Sequence, residues 1–556
     1  MSRIPGTCLL ILIGLDPAGV FAVRESDGVL AVVAQLPERV SHGAPPAARP
    51  GDRPILDALY ARRQGAPLWS RSGLPTAQAQ GLLNLLGAAG SYGLLPEDYG
   101  AAGLSETLAS LQADRTAKPA QWLAFDIALS NAALMFLHDL HFGRVNPRAA
   151  QFDMPGRQEH FDDDLYLEQL AASSNSGSVV AQAEPNFLHY RLLRQGLVRY
   201  QALASNPPQT PLPPLPGRSV APGQPYAGAP AMRRLLVALG DLSPDQKGNP
   251  ATTLDVPLVA ALKGFQYLHG LRESGILDAP TFAALNVPLA QRVRQVELTL
   301  ERWRWVPPLQ APAIIVNIPQ FRLFLFRSAV DSESGMLRMN VIVGKAYPQL
   351  HTPVFASEIK AVSFRPYWAV PSSIARGELL PLLRKNPHYL EKENLELVAN
   401  GSPPAPLAVT PENLQALAAG RLRLRQRPGP DNALGLIKFV LPNSYSIYLH
   451  STPAQRLFDE PRRAFSHGCI RVSDPVALAL EALRGTPGDW TAEKIRAAMN
   501  GNSTFQVSLT QPVHVLILYG TAIATEDGAV HFFDDIYGED RRLERLLGLK
   551  PVASGS

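Results

Sequence analysis

The residue types best suited to chemistry stand together in Ser466-His467-Gly468-Cys469-Ile470-Arg471-Val472, with His450 upstream and fifteen residues between it and Ser466. Cys469 is one of two cysteines in 556 residues, and the other, Cys8, lies in an apolar segment at the start of the chain. A thiol with no partner builds no disulfide framework, and beside a glycine that admits a substrate backbone it reads as a nucleophile. Zinc would need paired Cys or His ligands, three or four in all, and one thiolate is on offer, so neither metal nor cofactor is assigned. An ordinary thiol is mostly protonated at neutral pH, so an imidazole must take its proton. His450, at the end of the strand-like run Ser446–His450, is held facing the following loop and is the better candidate. His467 has two readings, proton transfer or oxyanion support on one side and fixing of the turn on the other. The backbone N–H groups of His467, Gly468 or Cys469, in the turn opened by Ser466, can serve a developing oxyanion. Arg471 can meet a substrate carboxylate or pair with a local acid, and Tyr448 and Trp368 can line a cleft or belong to the core.

The elements that must position these groups follow from the pattern. From Ala311 the period is two, with strands expected at Ile314–Ile318, Phe321–Phe326, Met339–Gly344, Ile437–Val440 and Ser446–His450. Between about 372 and 427 the pattern turns helical, at Ser372–Arg384, Tyr389–Val398 and Pro411–Ala419, and reads as an insertion that caps a cleft. Beyond it, 486–556 reads as an extension with a strand at Val513–Tyr519 and a final helix at Glu539–Leu547. Upstream, 53–204 is helical, and Trp122–Leu137, apolar nearly all round, should be a buried helix. Pro207, Pro208, Pro211, Pro213, Pro214, Pro216, Pro222 and Pro225 make 205–229 a linker or strap without helix or sheet. Residues 230–290 carry three helical patterns, the first ended by Gly240, the second opened by Pro257 and the third capped by Asp278.

Charge excludes one broad class. The 52 basic and 48 acidic side chains leave a net charge of +4, and no Lys/Arg run or aromatic-basic interleaving suggests nucleic acid. The 51 prolines favour punctuated loops over long bundles. At the start, Arg3 followed by Leu9–Ile13 and then Val20-Phe21-Ala22 reads as an export signal cut after Ala22 or kept as an anchor, with a flexible lead-in at 23–52.

Two resemblances add to this reading. In Leu262, Phe265-Gln266, Gly270-Leu271, Gly275-Ile276, Thr281 and Leu285-Asn286, residues 230–290 resemble the small peptidoglycan-binding domain of bacterial wall enzymes, with Ser274 where that family commonly has Asp. His450, the fifteen-residue spacing and Ser-His-Gly-Cys, with Thr352-Pro353, Arg365–Pro371 and Pro428–Gly435, resemble the L,D-transpeptidases of the YkuD type. The large periplasmic members are the nearest in plan. The resemblance implies an α+β multidomain chain: a helical scaffold, a peptidoglycan-binding-like domain at 230–290, and a mostly-β catalytic domain at 305–485 with a helical capping insertion. It implies Cys469 as nucleophile, His450 as base and Asn432 in substrate binding. Arg471 stands where many smaller members carry Asn. The implied partners are peptidoglycan stem peptides and glycan, carbapenems as acylating inhibitors, and other wall-synthesis proteins. The implied reaction joins two stems 3→3. A wall cysteine peptidase, an L,D-carboxypeptidase and a lipoprotein-anchoring transferase remain as alternatives.

Overall fold

The computed structural model describes residues 49, 51–157, 160–208, 211–328, 335–399, 401, 405–550 and 552. The expected export signal, Cys8 and nearly all of the lead-in lie outside the described residues. The described chain forms two compact units.

The smaller unit, drawn from within 51–87, 96–136 and 162–179, is helical, and Leu56, Leu59 and Tyr60 are fully buried in it, as their spacing predicts. The helix Pro119–Phe142 begins here. Among the described residues it is the one helix long and apolar enough to cross a membrane, and 78% of its most apolar window is buried. A helix apolar all round is stable in a core only if its few polar groups are satisfied. Asp126 meets that condition: its carboxylate accepts from the Leu68 and Trp69 N–H groups and from the Tyr60 hydroxyl, each at 2.7 Å.

In the larger unit the sheet closes on itself. Its strands run in the order 464–466, 337–344, 470–472, 449–450, 437–440, 355–364, 505–518, 313–317 and 322–326, and the last also pairs with Leu337–Gly344. The tail is therefore no appendage. Phe505–Leu518 lies between Phe355–Phe364 and Ala313–Asn317, parallel to the latter, with Val515, Leu516 and Ile517 in the core. The helix Leu289–Arg304 supplies Val296, Leu298 and Leu300 to the same core.

The insertion differs from its helical expectation. Leu395–Ala399 is a strand, in a four-stranded sheet with Trp368–Ala369, Pro406–Leu407 and Leu422–Gln426, and only Tyr389–Lys392 of the expected second helix is helical. Leu395, Leu397 and Leu424 join Leu383 and Leu417 in a separate small core. The proline-rich strap also departs from its expectation: Ser219–Val220 pairs with Leu277–Asp278, and Leu212 and Tyr226 are buried in the core of the 230–290 body.

Within that body the signature residues are structural. The Gln266 amide donates to Ile276 O at 2.9 Å and Thr281 Oγ1 at 3.0 Å, while its carbonyl accepts from Gly275 N–H at 2.8 Å. Ser274 Oγ accepts from Ile276 N–H at 3.2 Å, so it serves the turn at the place where Asp is common. Gln266→Ala strands buried donors and acceptors, which costs about 1–3 kcal/mol. Hydrogen exchange on the full chain should then quicken over 256–285 and stay unchanged in the catalytic strands; unchanged exchange in both would contradict this role.

Candidate active site

Strand alternation sorts the candidate residues onto one face. Leu449–His450 runs parallel to Ile470–Val472, with Leu449 opposite Ile470 and His450 opposite Arg471. On its other side it is antiparallel to Ile437–Val440, with Lys438 opposite His450. Leu449, Ile470, Val472, Ile437 and Phe439 fill the core. The opposite phase carries Lys438, Tyr448, His450, Cys469 and Arg471. Tyr448 O accepts from Ile470 N–H at 3.1 Å, which continues the pairing and brings Cys469 beside Tyr448. His450 is thus a diagonal neighbour of Cys469 on the same face, at a separation that long and aromatic side chains span.

The turn before Cys469 is fixed by its own polar groups. Ser466 Oγ donates to Cys469 O at 2.6 Å and accepts from Gly468 N–H at 3.1 Å. Gly468 N–H is thereby committed, and the donors this turn can offer an oxyanion are the N–H groups of His467 and Cys469. Thr352 Oγ1 donates to Gly468 O at 2.7 Å and accepts from Gly344 N–H at 2.9 Å. Gly468 has φ +115°, and a Cβ on Gly344 would lie 2.0 Å from Leu350 O, so both positions require glycine.

Electrostatics on this face are unusual. His450 is buried, and its Nδ1 lies 2.6 Å from Ser451 O. A carbonyl only accepts, so Nδ1 holds the hydrogen and Nε2 carries the basic lone pair. Burial, then the Arg471 charge, push the imidazole pKa down to about 3 against the pull of the Ser451 and Leu434 carbonyls. It is neutral at any ordinary pH. Burial raises the pKa of the half-exposed Cys469 thiol, while Tyr448, Lys438 and Arg471 draw it down. Lys438 Nζ sits 3.7 Å from the Tyr448 ring centroid, a cation–π contact. Arg471 reaches Thr452 Oγ1 at 3.5 Å, and among the described residues no carboxylate forms an ion pair with it, so the local acid considered from sequence is not there. Its Nε is buried without a partner.

The insertion reaches this face at two points. Trp368, packed on the insertion's core, lies near the Tyr448 hydroxyl and draws its pKa down against the effect of burial. His467 Nε2 lies 2.9 Å from Glu378 Oε1, on the irregular turn Ala375–Leu379 of the insertion. The His467 ring therefore faces the cap. Asn432 is a correction: it is buried, its amide donates to Arg427 O at 2.8 Å, and its carbonyl accepts from Leu434 N–H at 2.8 Å. It shapes a turn and offers nothing to a substrate. Sequence reasoning passed over Lys438 and Glu378. A lone charge at the face-directed position of Ile437-Lys438-Phe439-Val440 was a signal for the first; nothing local marks the second.

Residues 311–489 match the profile of the L,D-transpeptidase catalytic domain. This stretch is similar to the catalytic domain of that family. Residues 229–285 match the "Putative peptidoglycan binding domain" and 54–197 a scaffold domain. A curated protein of Haemophilus influenzae named "Putative L,D-transpeptidase" is 31% identical over 251 residues, covering 45% of this chain and 49% of that relative. The chain thus aligns with about half the length of the relative.

The contact between the cap and the catalytic turn is testable. An exposed side-chain contact of this kind contributes about 0.2–1 kcal/mol, so Glu378→Ala should speed amide exchange over 372–385 by up to about fivefold and leave the barrel strands unaltered. Unchanged exchange in 372–385 would show that other contacts hold the cap.

Proposed function

We propose that the chain is an exported peptidoglycan L,D-transpeptidase working in the periplasm. The observation that carries this reading is a free thiol on one sheet face with a neutral imidazole and two cations that have no acid partner among the described residues. His450 Nε2 accepts the Sγ proton, and Sγ attacks the carbonyl carbon that precedes the terminal D-alanine of a tetrapeptide stem. The resulting oxyanion takes the N–H groups of the Ser466–Cys469 turn. As the C–N bond breaks, the imidazolium returns its proton to the leaving amine and D-alanine departs, leaving a thioester on Cys469. An amine of a second stem then attacks the thioester carbonyl, the C–S bond breaks, and the amine's proton passes by way of His450 to Sγ, restoring the thiol; between meso-diaminopimelate residues the product is a 3→3 cross-link. Lys438 and Arg471 favour the thiolate over the thiol, and Arg471, lacking an acid of its own, suits a carboxylate of the stem. The cap, joined to the nucleophile's turn through His467 and Glu378 and to Tyr448 through Trp368, shields the thioester from water. A carbapenem, with its strained acyl group, acylates the same thiol.

Intact-mass analysis after incubation with a disaccharide-tetrapeptide should show an adduct equal to the stem less D-alanine, and none with Cys469→Ala. His450→Ala should slow acylation by about 10²-fold or more, and His467→Ala much less. Release of D-alanine with hydrolysed stem as the sole product would make the chain a carboxypeptidase. Near-parental acylation by His450→Ala, with His467→Ala inactive, would exchange the two roles.

A further inference from the structure

A second cleft lies away from the thiol, where the 230–290 body meets the catalytic sheet and the tail. Its volume is about 210 Å3, and its lining includes Tyr267 and Glu273 of the small body, Arg322 and Arg338 of adjacent strands, Arg462, and Phe533 of the tail. Arg322 and Arg338 belong to strands that pair with each other, Phe324 standing opposite Arg338 and Arg322 opposite Asn340. Arg338 and Gly344 are six residues apart on one strand, so the cleft lies about 20 Å from the nucleophile's turn. That is too far for the reacting amide and within the span of a polymer that engages both places.

The cleft holds more positive charge than its own residues neutralise. Arg463, buried at its edge, gives its donors to Val341 O, Glu460 O, Phe321 O and Asn340 Oδ1, none of them a carboxylate. Arg322 and Arg462 make no side-chain hydrogen bond or ion pair with a described residue. Burial, then the Arg322 charge, push the Arg463 pKa down to about 10. Two acids face the same space, Glu273 and Asp534, and Arg292 feels the charge of Asp534. Four arginines line the cleft against these two acids, an excess of positive charge that is a poor arrangement in the empty protein and a good one around an anion. Beside them the half-exposed Tyr267 ring, 5.3 Å from the His531 ring, offers an aromatic surface of the kind that covers an apolar sugar face.

We propose that this cleft binds a carboxylate-bearing stretch of a peptidoglycan strand, with Arg322 and Arg462 on the carboxylate and Tyr267 against a sugar ring. The proposal rests on the wall-enzyme reading above, and it assigns the hold on the polymer to this cleft, whereas the signature residues Gln266 and Thr281 are buried in the body's own core.

The test measures binding of the full chain to soluble uncross-linked glycan strands bearing tetrapeptides, with a neutral N-acetylglucosamine oligomer as control. Arg322→Gln and Arg462→Gln should each weaken binding roughly tenfold, Tyr267→Ala should weaken it too, and binding should fall with salt. Carbapenem acylation of the thiol should match the parent in all three. Arg462 is exposed and makes no side-chain bond, so Arg462→Gln carries no risk to the fold. Parental affinity in Arg462→Gln, or equally tight binding of the neutral oligomer, would overturn the proposal. If no acyl adduct forms in the parent while binding depends on the arginines, the catalytic reading fails and the cleft stands.

Discussion

The arrangement on which the rest depends is a thiol placed beside Lys438 and Arg471, with no carboxylate among the described residues paired to them and a neutral imidazole on the same sheet face. Two ways of activating a cysteine compete here. A thiolate–imidazolium pair needs an imidazole that keeps its proton, and burial of His450 next to the Arg471 guanidinium denies it that. The alternative is a protonated thiol that loses its proton to Nε2 only as the substrate is attacked, with fixed cations lowering the energy of the sulfur anion. Burial of Cys469 keeps the resting thiol protonated, and the cations act once charge develops on sulfur. That separation protects the one described thiol from incidental alkylation and oxidation at rest.

Holding such a site requires close backbone approach. The segment 350–352 passes so near Gly344 that any side chain there would strike it, and Thr352 bridges Gly344 and Gly468 through one hydroxyl. Behind the site, the central place of Phe505–Leu518 in the sheet means that the strands bearing His450 and Cys469 are supported by sequence from the far end of the chain. Both further features are arranged on the same sheet, with the cap near Cys469 and the cationic cleft at the opposite end of Leu337–Gly344.

Much of this was legible in the sequence. The period of two marked Ile437–Val440 and Ser446–His450 as strands, and the residue types and spacing of His450 and Cys469 singled them out as one constellation. The apolar run 122–137 was correctly a buried helix, because no amphipathic seam left it a solvent side. The misses share one cause, which is pairing over long sequence distance. Leu395–Ala399, with apolar residues at Leu395, Leu397 and Val398, fits a short strand as well as a helix, and only its partners Leu422–Gln426 decide. Val513–Tyr519 was visible as a strand, but nothing local tells that it lies at the centre of the sheet. Asn432 sits in a turn whose carbonyls consume its amide, and Arg471's lack of an acid is a fact about three-dimensional neighbours.

The central claim is that the resting Cys469 is a protonated thiol tuned by Lys438 and Arg471, with His450 uncharged. It is tested most directly by the rate of Cys469 alkylation by iodoacetamide as a function of pH, in the parent and in Lys438→Met. A thiol below its pKa reacts in proportion to its thiolate fraction, so a raised pKa gives a rate that climbs through neutrality and levels only above the usual thiol midpoint of about 8.5. The account predicts that single alkaline midpoint, with no step in the range where histidines ordinarily titrate, and a still higher midpoint in Lys438→Met. A reactive plateau already established at mildly acidic pH and indifferent to Lys438 would contradict it, since only a thiolate–imidazolium pair gives that profile.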